Sequence, residues 1–328
     1  MKLIYLFLLI SSYQVFAGTF KWDVREIPGA KCGDGTPYKI FYKKGNSSKV
    51  AIELMGGGAC WDLATCWGPN LRTWIHQIPA IPAFSYLTTS DSPIKNHTLV
   101  YLPYCNGDVF IGRHIADYSS KLKTYHHGYL NVIKTFEYLK DEKLISFEKL
   151  DQFIFYGSSA GGIGALFHTK TAEKYLSPQT KKLLIADSIG LHFGKKFWEK
   201  FPQKFINDFK SSFDEIGMNV DFTDGFVAPE LRHLCQRSSD WQMGFIQTTR
   251  DIVMSLIFGN ISQKEHKSLV LGQDGIKNLF KSSRNCKSLI PDGQGHAILI
   301  IPQVAKYEKD MSTGVSAIEF VNQLINNL

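Results

Sequence analysis

The sequence lacks several features that would place it in a specialised class of protein. Beyond residue 17 no uninterrupted apolar run approaches the ~18 residues of a membrane-spanning helix, and there is no repeat or low-complexity linker. The sequence contains no CxxC pair and no paired spacing of Cys and His residues that would indicate a metal site. Lysine and arginine form no basic stripe with interleaved aromatic residues. We therefore expect no stable membrane span, no metal, no cofactor and no nucleic-acid partner, and we expect a monomer.

The first 17 residues have the pattern of an export signal. Lys2 supplies a positive charge, residues 3–10 form a short apolar core, and Val15-Phe16-Ala17 resembles a signal peptidase site. An uncleaved N-terminal anchor is the alternative. We expect a signal peptide over 1–17 and a secreted mature chain, exported either to a periplasm or out of the cell.

The rest of the chain, residues 18–328, is expected to form one large domain. Of the full sequence 44% is hydrophobic and 13% aromatic, which suits a sizeable core. Six cysteines in an exported chain predict three disulfides, out of 15 ways of pairing them. Cys60 and Cys66 are close enough to staple a local loop, Cys235 and Cys286 share the C-terminal part, and Cys32 then remains for Cys105.

Short apolar runs alternate with helical patterns, which is typical of an α/β fold with a mostly parallel central sheet flanked by helices. Runs that are apolar at nearly every position indicate strands covered on both faces. The predicted strands are 38–43, 49–54, 97–102, 152–156, 182–186, 244–248 and 287–290. Helical spacing predicts helices over 128–139 and 162–176, and over 197–213 with an interruption at Pro202. We interpret 197–213 as a helical insertion that packs on the sheet rather than as a lid.

The segment 157–162 (GSSAGG) fits the pattern G-x-S-x-G, with a predicted strand before it and a predicted helix after it. A nucleophilic serine on such a tight turn needs nearly side-chain-free neighbours two residues away. Ser159 has glycine at both positions, whereas Ser158 would have Tyr156 and Ala160. Ser159 is therefore the predicted nucleophile, and a plain strand-to-helix turn is the alternative.

A glycine-rich loop, 56–58, follows the predicted strand 49–54. Consecutive glycines let backbone N–H groups face a substrate, so Gly57 and Gly58, with Ala160 after the nucleophile, are the predicted oxyanion hole. The loop lacks the spacing of a phosphate-binding loop, and a non-functional turn is the alternative.

The expected order of a triad is Ser, then Asp or Glu, then His. His296 is the last histidine, on a glycine-rich loop, and is the predicted base; its competitors are His168, His192, His233 and His266. Asp251 ends the run 244–250 and is the predicted acid, which would orient and stabilise the imidazole. Asp240 and Asp187 are the alternatives.

Taken together, these motifs resemble the pectin acetylesterase family, which includes the Notum carboxylesterases. The matching stretches occur in the family's order and are 32–35, 56–58 with Cys60 and Cys66, 103–108, 157–162, 186–188, Asp251 and 295–296. The resemblance implies an α/β-hydrolase-like fold, a Ser159–His296–Asp251 triad and hydrolysis of an ester, typically acetyl groups on cell-wall polysaccharide such as pectin. The disulfide pairing above is similar to the family's. Asn106 and Asp108 are expected near the substrate, or alternatively in a turn fixed by the Cys105 disulfide.

Two stretches depart from the family's pattern. Gly58 and Ala59 stand where relatives commonly place a tryptophan, and Asp251 is followed by 252–254 (IVM) instead of an aromatic residue and glutamine. The loss of a bulky wall could widen the acyl side of the pocket, but close-packed interiors rarely leave such voids. We expect neighbouring aromatic side chains to fill the space and acetyl to be preferred. A deacylase of longer chains, Notum-like or lipase-like, and a non-catalytic polysaccharide-binding protein are the alternatives.

Overall fold

The computed structural model describes residues 22–68, 75–77 and 85–328, so the predicted export signal lies outside the described residues. Within them the strands are β1 Asp23–Lys31, β2 Pro37–Lys43, β3 Asn46–Leu54, β4 His97–Leu102, β5 His114–Ser119, β6 Leu122–His126, β7 Gln152–Ser158, β8 Lys181–Asp187, β9 Trp241–Ile246 and β10 Cys286–Leu289. The helices are α1 Leu63–Trp67, α2 Gly128–Asp141, α3 Ala160–Phe167, α4 Thr169–Glu173, α5 Gln203–Ile216, α6 Leu231–Arg237, α7 Gln263–Leu271, α8 Ile276–Leu279, α9 Pro302–Tyr307 and α10 Ala317–Asn326.

Eight of these strands form one sheet in the order β1-β2-β4-β3-β7-β8-β9-β10. The pairs from β4 to β10 are parallel, whereas β2 is antiparallel to both β1 and β4. Strands β5 and β6 form a separate antiparallel pair. The predicted α/β fold with a mostly parallel central sheet is confirmed.

The two faces of the sheet pack into two cores because side chains alternate along each strand. In β7, Phe153 and Phe155 face the larger core, whereas Ile154 and Tyr156 face the core covered by α10. Helix α10 is held at its start by a capping box in which Ser316 and Glu319 exchange hydrogen bonds. Both faces of the central strands are therefore buried, as their apolar sequences predict.

All seven predicted strands occur, but β1, β5 and β6 were missed. These strands are exposed along part of their length, and β1 carries a mixed polar sequence, DVREIPGAK. The predicted helix 162–176 is divided at His168 into α3 and α4. In the helical insertion, a short 3₁₀ helix, Trp198–Lys200, precedes Pro202, and α5 begins directly after that proline. A proline is compatible with the start of a helix but not with its interior.

Three disulfides lie within the described residues, Cys32–Cys105, Cys60–Cys66 and Cys235–Cys286, and they are the pairs expected from the sequence. No helix in the described part of the chain is long and apolar enough to cross a membrane.

The parallel strands bring four candidate residues to one edge of the sheet. Ser159 follows β7, Asp187 ends β8, Asp251 lies shortly after β9, and His296 lies shortly after β10. These four strands are neighbours in the sheet. The carboxyl edge of an open parallel sheet is where α/β proteins place their sites.

Candidate active site

Ser159 lies at the sharp turn between β7 and α3. Its backbone angles, φ 55° and ψ −127°, belong to a region that residues with a side chain seldom adopt. A Cβ atom on Gly157 would lie 2.4 Å from the carbonyl carbon of Gly161, and one on Gly161 would lie 1.9 Å from the carbonyl oxygen of Leu54. The turn therefore requires glycine two residues before and two residues after the serine, which explains the two glycines of the motif.

The glycine-rich loop after β3 lies beside this turn. Gly58 has a φ of +81°, and its carbonyl oxygen accepts a hydrogen bond of 2.8 Å from the hydroxyl of Tyr104. The N–H groups of Gly57, Gly58 and Ala160 make no hydrogen bond to another described residue. Backbone amides next to a nucleophile can donate to a developing oxyanion.

His296 and Asp251 form a hydrogen-bonded pair. The Nδ1 atom of His296 lies 2.9 Å from Oδ2 and 3.1 Å from Oδ1 of Asp251, whose side chain is fully buried. The carboxylate also accepts hydrogen bonds from the amides of Val253 and Met254 and from the side chain of Gln247. If Nδ1–H donates to the carboxylate, Nε2 is left as the acceptor of the ring.

No hydrogen bond joins the Ser159 hydroxyl to His296 in this structure. The structure thus brings together the predicted acid and base, and it places the predicted nucleophile on a neighbouring loop at the same sheet edge. Hydrogen bonds between catalytic groups are often long in unliganded enzymes and tighten when substrate binds.

The rival carboxylates have other partners. Asp240 lies before β9, at the opposite end of the sheet, where it forms a 2.5 Å ion pair with Lys182. Asp187 is fully buried, and its carboxylate accepts hydrogen bonds from Ser158, Ser188 and Leu299. Neither forms a hydrogen bond with His296, so the geometry favours Asp251 as the acid.

The rival histidines fall into two groups. His168, His192 and His266 are buried, and each has a ring nitrogen within hydrogen-bond distance of a backbone carbonyl oxygen. Burial lowers the pKa of His168 and of His192 to about 3, so both are neutral at ordinary pH. His233 is exposed on α6, and no hydrogen bond joins it to another described candidate residue.

Asn106 and Asp108 are buried in internal hydrogen bonds. The amide nitrogen of Asn106 donates to the carbonyl oxygens of Lys31 and Tyr125 at 2.9 and 2.8 Å. Asp108 accepts a 2.6 Å hydrogen bond from the Gly128 amide at the start of α2, and burial raises the pKa of this carboxyl group to about 7. These partners favour a role in fixing the turn, and substrate contact by either residue stays an untested prediction.

Among the described residues, three side chains of the kinds that bind metals lie close together: Cys60, Cys66 and His126. The two cysteines form a disulfide with each other. Their sulfur atoms cannot act as thiolate ligands, so this group does not have the chemistry of a zinc site.

A small apolar cavity of about 40 Å³ lies next to Ser159. Its walls come from the glycine-rich loop, α3, the helical insertion and the segment after Asp251. Trp61 packs edge-on against Phe201, with ring centroids 5.1 Å apart. The lining residues are Gly58, Ala59, Val109, Ser159, Ala160, Ile163, Phe167, Leu191, Phe193, Phe197, Trp198, Phe201, Phe209, Phe213, Met254 and Phe258. Of these, the loop residues Leu191, Phe193 and Phe258 and the π-helical residue Met254 carry no recognisable sequence signal and were missed.

A family model described as pectinacetylesterase matches residues 22–212, which is more than half of the chain. The chain belongs to the pectinacetylesterase family. The part matched to the family contains the glycine-rich loop and Ser159, whereas Asp251 and His296 lie beyond it.

The curated relatives include palmitoleoyl-protein carboxylesterases and a pectin acetylesterase. The chain is 25% identical to palmitoleoyl-protein carboxylesterase notum1a of Danio rerio, over 51% of this chain and 35% of that protein. It is 27% identical to pectin acetylesterase 5 of Arabidopsis thaliana, over 48% of this chain and 39% of that protein. It is 22% identical to palmitoleoyl-protein carboxylesterase NOTUM of Homo sapiens, over 65% of this chain and 44% of that protein. The chain thus matches less than half the length of these relatives.

Proposed function

We propose that this pectinacetylesterase-family protein is a secreted serine carboxylesterase that removes acetyl groups from cell-wall polysaccharide such as pectin. The observation that carries the proposal is the hydrogen-bonded pair of buried Asp251 and partly exposed His296, at the sheet edge that also holds Ser159 on its strained turn. The three disulfides support export, because such bonds persist in oxidising compartments. The proposal includes no metal and no cofactor.

The proposed reaction uses each group in a defined step. The Ser159 oxygen attacks the ester carbonyl carbon while its proton passes to Nε2 of His296, and Asp251 stabilises the resulting imidazolium. The amides of Gly57, Gly58 and Ala160 donate to the oxyanion. The ester C–O bond then breaks, and the sugar hydroxyl leaves with the proton from His296. Water attacks the acyl-enzyme by the same route and releases the carboxylic acid.

The size of the cavity supports a short acyl group. A water molecule needs roughly 10–15 Å³ of such space, so about 40 Å³ accommodates only a few groups of that size. An acetyl methyl group fits this space without movement of the walls. Gly58, Ala59 and several aromatic side chains line this cavity, and its small volume supports the proposed preference for acetyl.

A deacylase of longer chains is the second candidate function. The cavity lining is almost entirely apolar and extends from Gly58 to Phe167 and Phe213. Two of the relatives above are named for a palmitoleoyl group. A long chain would require the phenylalanine side chains of the helical insertion to move apart.

The test compares p-nitrophenyl acetate, butyrate and octanoate, together with acetate release from acetylated pectin, using the exported protein and Ser159→Ala. We expect acetate to be the best ester and Ser159→Ala to lose almost all activity. A kcat/KM that rises with chain length would show that the enzyme prefers a longer acyl group to acetyl. No hydrolysis of any ester would favour a non-catalytic polysaccharide-binding protein.

A further inference from the structure

A buried carboxylate at the end of β8 contacts both loops of the candidate site. Asp187 is fully buried, and its Oδ2 atom accepts hydrogen bonds from the Ser158 hydroxyl at 2.7 Å and from the Leu299 amide at 2.9 Å. Ser158 precedes the predicted nucleophile, and Leu299 lies three residues after the predicted base. The backbone oxygen of Asp187 also accepts from the Ser159 amide at 2.8 Å.

Ser188 adds a second connection to the same loop. Its hydroxyl donates to Oδ1 of Asp187 at 2.9 Å and accepts a 2.9 Å hydrogen bond from the amide of Ala297, the residue after His296. Ser188 has a φ of +56°, and its own amide donates to the carbonyl oxygen of Ile246 at the end of β9. The hydroxyl is fully buried, so it has no water to replace these partners.

The backbone of His296 is thereby held on both sides. Before it, the Thr248 hydroxyl donates to the carbonyl oxygen of Gly295 at 2.6 Å. After it, the Ala297 amide donates to Ser188. Burial raises the pKa of Asp187, and its hydrogen bonds from Leu299, Ser158 and Ser188 act against this effect.

We propose that Asp187 and Ser188 are positioning residues, which fix the His296 loop relative to the Ser159 turn so that the imidazole can take the serine proton. The inference rests on the proposed esterase function. It gives Asp187 a role different from that of the triad acid: it bonds to the backbone of the base's loop and not to the imidazole. A catalytic group displaced by about 1 Å can lose about 100-fold in rate, so a loop tether is expected to matter for kcat.

The test is Ser188→Ala, assayed with p-nitrophenyl acetate. Because Ser188 does not line the cavity, we expect kcat to fall about 10- to 100-fold while KM stays within about twofold. Ser188→Gly removes the same hydroxyl and suits the positive φ, so it should give the same result if the alanine variant folds poorly. Thr180→Val is the matched control, since it removes a buried hydroxyl that donates to Leu150 at the other end of β8. Its kcat should be unchanged.

A double variant that also lacks the His296 imidazole distinguishes a positioning role of Ser188 from a general loss of structure. In His296→Ala, the further change Ser188→Ala should cost no additional activity, because residues that act as a unit are not additive. An additional loss of the same size as in the native background would overturn the inference. Full kcat in both Ser188 variants, with Ser159→Ala inactive, would also overturn it while the esterase proposal stands. Undiminished activity in Ser159→Ala would instead overturn Ser159 as the nucleophile, and no ester hydrolysis by the unchanged protein would overturn the esterase proposal.

Discussion

Phe201 lines the cavity next to Ser159, and we expect acyl selectivity to depend on it. This side chain lines the cavity and packs on Trp61, with ring centroids 5.1 Å apart. Phe201→Ala should open room for a longer acyl group. A butyryl group carries two more methylenes than acetyl, and each buried methylene contributes about 0.8 kcal/mol. The butyrate-to-acetate ratio of kcat/KM should therefore rise by up to about 15-fold, since 1.4 kcal/mol is tenfold.

The matched control is Phe136→Ala. Phe136 is fully buried against Phe147 and Tyr175, with ring centroids 5.2 and 5.3 Å away, and it does not line the cavity. Both variants should lose about 3–5 kcal/mol of unfolding free energy, but only Phe201→Ala should change the ester ratio. Steady-state kinetics on both esters, with urea unfolding curves, measures the two effects separately.

Two results would refute this reasoning. An unchanged ratio in Phe201→Ala would show that the acyl group does not bind in this cavity. An equal rise in Phe136→Ala would show that general loosening of the core, and not local space, changes the ratio.

Three further predictions concern the acid, a disulfide and acid stability. Asp251→Asn should reduce kcat by orders of magnitude, while Asp240→Asn should not, and the reverse result in ester assays would move the acid to Asp240. Replacing both cysteines of Cys235–Cys286 by alanine should cost about 4 kcal/mol by the loop-entropy scale, measured by urea unfolding; a cost near zero would contradict a native bridge. His192 has a folded pKa of about 3, below its ordinary 6.5, so the unfolded state binds more protons between these values and stability should fall as pH drops through this window. His192→Gln should flatten the dependence of unfolding free energy on pH, and an unaltered slope would contradict it.

The parts of the fold that the sequence predicts are those set by local pattern. Strands such as β7, buried on both faces, are apolar throughout, and the turn at Ser159 needs its two glycines for steric reasons. β1 and the β5–β6 pair were missed because their polar exposed residues dilute the strand pattern. At His168, where the predicted helix is divided, the ring contacts the carbonyl oxygen of Phe110, 58 residues away, and no local window contains such a contact.

The sequence predicts the site residues that belong to local motifs, but it does not predict the contacts between separate loops. The motif and the chain order predict Ser159 and His296. The choice of the acid among Asp251, Asp240 and Asp187 depends on which carboxylate lies within hydrogen-bond distance of the imidazole. Only the packing of the loops after β8, β9 and β10 shows that Asp251 bonds to His296. The cavity volume depends likewise on side-chain positions in several separate segments.

The most direct test of the central claim is labelling with a fluorophosphonate, which reacts with activated serines, followed by peptide mass spectrometry. The account predicts a single modified residue, Ser159, with no labelling of Ser159→Ala and greatly slowed labelling of His296→Ala. A folded protein that takes no label, or a label that maps to Ser158 or elsewhere, would contradict the account.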